Sequence, residues 1–141
     1  MREFVVLLAE DDDGDAALVQ LGMQRWERPC QLHRVPNGRE LIAFLRHESG
    51  YESMPVPDII LLDLNMPHLS GLEALKIIRE DPNLSNLIVI ILTTSVSQLD
   101  IARCYQRGAN SYITKPVDLD SFMSTMRTIE SYWTCVAKLP S

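Results

Sequence analysis

Basic charge is in short supply in this chain. Thirteen lysines and arginines face nineteen aspartates and glutamates, a net charge of −6 over 141 residues. No basic stripe gathers them, which argues against non-specific attraction to nucleic acid or to anionic lipid. Cysteine is scarce as well. Cys30, Cys104 and Cys135 are odd in number and far apart, with no CxxC and no Cys/His pair at zinc spacing. A disulfide framework and a structural zinc are therefore disfavoured, and the thiols suit a reducing compartment. Long hydrophobic runs are missing too. LIVIIL at 87–92 falls far short of a membrane span, and the amino-terminal FVVLLA runs straight into acids, unlike a signal peptide. The expected location is cytoplasmic, away from the membrane. Neither a repeat, a low-complexity tract nor an interdomain linker interrupts the chain. A single domain over residues 1–141 is expected, with a short C-terminal extension from about residue 130.

What the chain has is an ordered alternation. Five short apolar runs punctuate it: FVVLLA (4–9), QLHRV (31–35), DIILLDL (58–64), LIVIIL (87–92) and SYITK (111–115). Three are continuously Val, Ile and Leu, as parallel strands covered on both faces require. The second carries His33 and Arg34 and suits an edge strand. Between the runs, apolar residues recur at helical spacing, as in Leu41, Ile42 and Leu45, or Leu72, Leu75 and Ile78. A first helix is expected over Ala16–Trp26. The last is the clearest, with Leu119, Phe122, Met123, Met126, Ile129 and Trp133 on one face. Pro82 should stop the third helix, and Gly108 sits where a helix C-cap is wanted. Repeated β-α units imply an α/β fold: a doubly wound, five-stranded parallel sheet of flavodoxin-like type.

In such a sheet, ligands bind at the carboxyl ends of the strands, beside the topological switch point. Glu10 and Asp11 follow the first run, Asp63 ends the third, Thr93 follows the fourth and Lys115 the fifth. Three carboxylates in one place repel unless a cation joins them, and hard oxygen ligands select Mg²⁺. A Mg²⁺ that keeps some of its waters is ready for a phosphoryl group, whose oxygens a lysine and a threonine hydroxyl can hold. An aspartate forming an acyl phosphate is known covalent chemistry. The constellation reads as phosphorylation of Asp63, which should stand half-exposed. Asp12, Asp13 and Asp15 are assigned to capping and charging the first helix, with Asp12 a second candidate for the metal. His68 reads as a solvated loop residue, and His33 and His47 as surface residues. Cys104 and Cys135 read as packed thiols.

The motifs LLAEDD, PDIILLDLNMP, GLEAL, VIILTTS and GANSYITKP, followed by the final amphipathic helix, stand in one order along nearly the whole chain. Together they resemble the receiver domain of bacterial two-component response regulators. The resemblance implies Asp63 as phosphoacceptor, and a metal held by Glu10, Asp11, Asp63 and the backbone carbonyl of Asn65. It implies that Thr93 and Lys115 contact the phosphoryl group and that Tyr112 switches with Thr93. It also implies a cis Lys115–Pro116 bond. The tail IESYWTCVAKLPS (129–141), the insert ESGYESMPVPD and LTTS resemble the stand-alone regulators associated with cyanobacterial and bacterial phytochromes.

From these resemblances follow a sensor histidine kinase as phosphodonor, with a phytochrome as the candidate, and a homodimer built on the last helix and strand. With no effector domain attached, output is expected through protein contacts. Tyr132, Trp133, Val136 and Leu139 are apolar enough to form an exposed patch of the kind that marks an interaction surface. Two other functions compete. A haloacid dehalogenase-like phosphatase wants an acid two residues after the nucleophile, and Asn65 stands there. A phosphorylation-independent pseudo-receiver would not need so complete a site. A nucleotide-binding fold is weaker still, because no glycine-rich loop follows the first strand.

Overall fold

The structure is a computed structural model that describes residues 2–140; Ser141, the end of the expected extension, lies outside the described residues. Strands β1 (Phe4–Ala9), β2 (Cys30–Val35), β3 (Ile59–Leu62), β4 (Ile88–Thr93) and β5 (Ser111–Thr114) alternate with helices α1 (Asp13–Gln24), α2 (Gly38–Leu45), α3 (Gly71–Glu80), α4 (Gln98–Gln106) and α5 (Leu119–Glu130). All four strand pairings are parallel, in the order β2-β1-β3-β4-β5. The chain thus leaves β1 towards one edge and β3 towards the other. That reversal opens the crevice between the carboxyl ends of β1 and β3.

Strand alternation divides the apolar residues between two cores. Leu7, Ala9, Ile60, Leu62, Val89 and Ile91 meet α2, α3 and α4 on one face. Phe4, Val6, Leu8, Ile59, Leu61, Ile90 and Leu92 meet α1 and α5 on the other. This is why β1, β3 and β4 read as unbroken aliphatic runs: both of their faces are covered. β2 is an edge strand, as its polar residues led us to expect. His33, however, is half-buried instead of free on the surface. Its Nε2 lies 2.8 Å from the Gln31 side-chain oxygen, and its ring packs 5.6 Å from that of Phe44 of α2.

Each helix opens with a side-chain cap. Asp12, Asn37, Ser70, Ser97 and Asp118 each accept a hydrogen bond from the backbone N–H three residues on. The cap at Asp12 starts α1 ahead of the expected Ala16. Gly108 follows α4 at φ +94°, the left-handed conformation that a glycine adopts without strain. Leu119 is exposed at the start of α5, while Phe122, Met123, Met126 and Ile129 are buried. Beyond Glu130 the helix widens into a π-type turn, Ser131–Val136. Its apolar residues split. Trp133 and Leu139 pack back on the α1/α5 core, whereas Tyr132 and Val136 stay exposed. The expected patch is therefore smaller than the sequence suggests.

Two glycines set how closely the helices approach the carboxyl edge. A Cβ on Gly71 would lie 2.2 Å from the Asp63 carbonyl oxygen, and one on Gly38 would lie 2.3 Å from that of Leu69. Neither contact can be relieved by a side-chain rotation, because the obstructing atoms are backbone. We expect Gly71→Ala to cost about 1–3 kcal/mol, the usual range for overpacking, read as a lower urea midpoint. A midpoint equal to the wild type would show that α3 can retreat from Asp63 freely.

Candidate functional site

The sheet register sets the site. Ala9 pairs with Leu62, so the next residues, Glu10 and Asp63, leave adjacent strands side by side. The Asp63 N–H donates to the Ala9 carbonyl at 3.1 Å, and that of Glu10 to the Val35 carbonyl at 3.0 Å. Lys115 leaves β5 next to Thr93, with its N–H donating to the Thr93 carbonyl at 2.7 Å. Three strands and their edge neighbour thus bring their end residues to one crevice.

Burial is the unexpected feature. Asp63 is 6% exposed instead of half-exposed, and Glu10 (1%), Thr93 (0%) and Lys115 (8%) are buried with it. Asp63 tolerates this because it is paired and hydrogen-bonded. The Lys115 ammonium donates to Glu10 Oε1 at 2.5 Å, Asp15 Oδ2 at 2.8 Å and Asp63 Oδ2 at 3.4 Å. The Asn65 N–H closes on Asp63 Oδ1 at 3.4 Å. Lys115–Pro116 is trans, as are all the described peptide bonds, so the expected cis bond is not present. Trans is the lower-energy isomer by about 0.5–1 kcal/mol even before proline.

One lysine does not neutralise this many acids. Carboxylate oxygens of Glu10, Asp11 and Asp63 lie within 4.8 Å of one another. Burial pushes the Glu10 carboxyl up to about 7, reinforced by Asp63 and opposed by Lys115. Burial would lower the Lys115 pKa, but its bonds to Asp15 and Glu10 and the charge of Asp63 outweigh this and hold it above the ordinary lysine value. The three clustered carboxylates are all-oxygen donors with charge to spare, a set that fits Mg²⁺. Asp11 is exposed and so keeps the cluster open to solvent, as an ion that retains waters requires. Asp12 is outside that cluster, and its Oδ2 accepts the Asp15 N–H as the α1 cap.

Thr93 supplies the second mark of an anion site. Its Oγ1 is buried without a hydrogen-bond partner. Such a group costs free energy until something fills the place, and an oxygen-rich group does so. Tyr112 makes its bonds to other residues. The Tyr112 hydroxyl donates to the Ser95 carbonyl at 2.9 Å, its N–H donates to the Tyr105 hydroxyl at 3.0 Å, and its ring packs on the α2/α3/α4 core. Ser95 in turn donates to Asp100 Oδ2 at 2.6 Å, so the β4–α4 loop is tied to both α4 and β5. His68 stands exposed in the β3–α3 loop at φ +67°.

Sequence reasoning missed Asp15. We assigned it to helix charging, yet its carboxylate is a direct partner of Lys115. No spacing rule announced it: Asp11 lies before the cap at Asp12, outside α1, so the helical period does not relate it to Asp15.

Comparison with known proteins agrees with this architecture. The model of the response regulator receiver domain matches residues 6–127. The response regulator Rcp1 of Synechocystis is 36% identical over 137 residues, covering 97% of this chain and 93% of that protein. The crystal structure of the phosphorylated cyanobacterial phytochrome response regulator RcpA superposes with a TM-score of 0.95 at 36% identity, covering 99% of this chain and 100% of that one. The Mn²⁺-bound form of Rcp1 superposes with a TM-score of 0.92, also at 36% identity, over 98% of this chain and 99% of that one. On matched length, identity and fold together, the chain belongs to the response regulator receiver family.

Proposed function

We propose that this protein is a single-domain response regulator that accepts a phosphoryl group on Asp63 from a phosphohistidine of a sensor histidine kinase. By likeness to the phytochrome response regulators, that kinase is a phytochrome. One observation carries the reading: the buried Asp63 carboxylate shares a crevice end with the Lys115 ammonium, the unpartnered Thr93 hydroxyl and two further acids. Asp63 Oδ attacks phosphorus, the P–N bond to the donor imidazole breaks, and the imidazole leaves with its electron pair and takes a proton. Mg²⁺ held by Glu10, Asp11, Asp63 and the Asn65 carbonyl would neutralise charge on the phosphoryl oxygens. Lys115 and Thr93 contact the transferred group, supplying a cation and a hydroxyl donor. With Asn65 where a phosphatase of this chemistry needs an acid, turnover is limited to self-dephosphorylation.

Output in this reading is a population shift carried by the β4–α4 loop, the segment that Tyr112 holds at Ser95. Val96 of that loop, Leu99 and Tyr105 of α4 and Val117 after β5 are exposed, as are Tyr132 and Val136 beyond α5. This surface supports a homodimer built on α5, β5 and their neighbours.

Three outcomes test the reading. Asp63→Asn keeps the shape and removes the nucleophile, so acetyl phosphate with Mg²⁺ should add a base-labile phosphoryl mass to wild type only. Equal labelling of the variant would sink the assignment. Second, a proton on Glu10 competes with the metal below its pKa of about 7. Calorimetric Mg²⁺ affinity should therefore fall about tenfold between pH 8 and pH 6; a flat profile places the metal elsewhere. Third, sedimentation should show a concentration-dependent dimer that Tyr132→Ala with Val136→Ala weakens. A wild type that stays monomeric at high micromolar concentration, with or without phosphodonor, ends the dimer proposal.

A further inference from the structure

An ammonium group has three N–H donors. Lys115 spends all three on carboxylates, those of Glu10, Asp15 and Asp63. The bond to Asp63, the longest of the three at 3.4 Å, is the one a phosphoryl group on Asp63 inherits. Drawing the lysine closer to that group pulls on its two shorter bonds, and their acceptors, Glu10 and Asp15, are not equivalent. The side chains of Glu10 and Asp63 are 2% and 8% exposed, whereas that of Asp15 is 32% exposed. Released Glu10 stays buried with only the Asp12 N–H at 3.2 Å until a metal is bound, while a released Asp15 meets water. Asp15 is also outside the group of acids whose oxygens converge for the metal. Its departure leaves that cluster intact.

Distances within the triad point the same way. The shortest bonds run to Glu10 and Asp15 and the longest, 3.4 Å, to Asp63. The lysine is thus held nearer α1 and β1 than the aspartate that reacts. Asp15 is free for this role because the cap of α1 is made by another side chain: Asp12 Oδ2 accepts the Asp15 N–H at 2.8 Å.

We propose that Asp15 is a positioning residue that holds Lys115 in the resting state and competes with the phosphoryl group for it. The inference rests on Asp63 being the phosphoacceptor. Its consequence has a definite sign. A phosphoryl group brings more negative charge than one carboxylate and takes the lysine from Asp15, so Asp15 opposes the phosphorylated state. By linkage, neutralising Asp15 favours that state. A residue that merely supports the fold would, when altered, weaken the site instead.

The test uses the full chain with saturating Mg²⁺ and beryllofluoride as the phosphoryl mimic, with affinity measured by calorimetry. Asp15→Asn should bind beryllofluoride at least about threefold more tightly than wild type, the scale of a partly exposed ion pair. Asp15→Glu, which keeps the charge and can still reach the lysine, should return towards wild type. Asp13→Asn is the charge control. It sits in the same turn, with a side chain 94% exposed and paired with Arg34, so it should match wild type. The Lys115 ammonium signal in a ¹⁵N NMR spectrum should shift in resting Asp15→Asn and shift little in Asp13→Asn.

Asp15→Ser repeats the measurement if thermal unfolding shows that Asp15→Asn is not folded. Binding by Asp15→Asn that is weaker than, or equal to, wild type overturns the proposal. So does equal tightening in Asp13→Asn, which would mark a general charge effect. Asp63→Asn separates the two layers. If it binds beryllofluoride as wild type does, the acceptor assignment falls. If it loses binding while Asp15→Asn behaves as wild type, only the role of Asp15 falls.

Discussion

The structure turns on one ammonium group among carboxylates. Two like charges about 4 Å apart repel by about 4 kcal/mol at the effective dielectric near a protein surface. Glu10, Asp11 and Asp63 hold oxygens within 4.8 Å of one another, with two of the three side chains buried. Without Lys115 that arrangement would have to open or take up protons. Lys115 reaches in from the far edge of the sheet and bonds to Glu10 of β1's end, Asp63 of β3's end and Asp15 of α1. The site is therefore held together across the whole crevice by a group carried on an edge strand. What happens to that lysine bears on β5 and the loop beyond it.

Everything else serves to place those atoms. Parallel register sets Glu10 beside Asp63 and Thr93 beside Lys115 without any side chain choosing it. Two separate cores clamp the sheet from either side, so the strand ends do not drift. On the third side Gly71 lets α3 approach the Asp63 carbonyl to a distance that any side chain would forbid. Ser70 and Glu73 cap that helix reciprocally, which fixes where it begins. A charged, partly unsatisfied site is costly, and these rigid surroundings supply the stability that the site lacks.

The identity of β1, β3 and β4 was legible in the sequence because strands buried on both faces need uninterrupted aliphatic residues, and no other element in this chain has that composition. The site acids were legible for the same reason: a carboxylate directly after IILL has few places to be except a strand end. Asp15 was hidden by its neighbours. In EDDDGD every acid is a credible helix cap, and only the direction of the first turn of α1 decides that Asp12 caps while Asp15 reaches Lys115. His33 was misread because edge-strand polarity does not reveal that α2 lays Phe44 against it. The tail divided for a similar reason. The π-type turn at Ser131–Val136 departs from the 3.6-residue period, so helical spacing no longer says which of Tyr132 and Trp133 faces inward.

The site is unbalanced in a useful way. Lys115 has every donor in use, whereas Thr93 has a buried hydroxyl with no partner, on the neighbouring strand. An anion entering on Asp63 has to compete for a lysine already shared, whereas it finds the Thr93 hydroxyl unpaired. Engaging Thr93 draws on the end of β4, and the next residues are Thr94 and Ser95, whose carbonyl and hydroxyl are tied to Tyr112 and Asp100. A displacement of this loop therefore has to break or carry those two bonds. They lead directly to β5 and to α4, a helix that contributes only Cys104 to the buried core. A helix so lightly anchored moves at small cost, and it carries the exposed Leu99 and Tyr105 with it. The acid cluster thus sits where two cores clamp the sheet, and the loop beside it leads to the helix that the fold holds by a single buried residue.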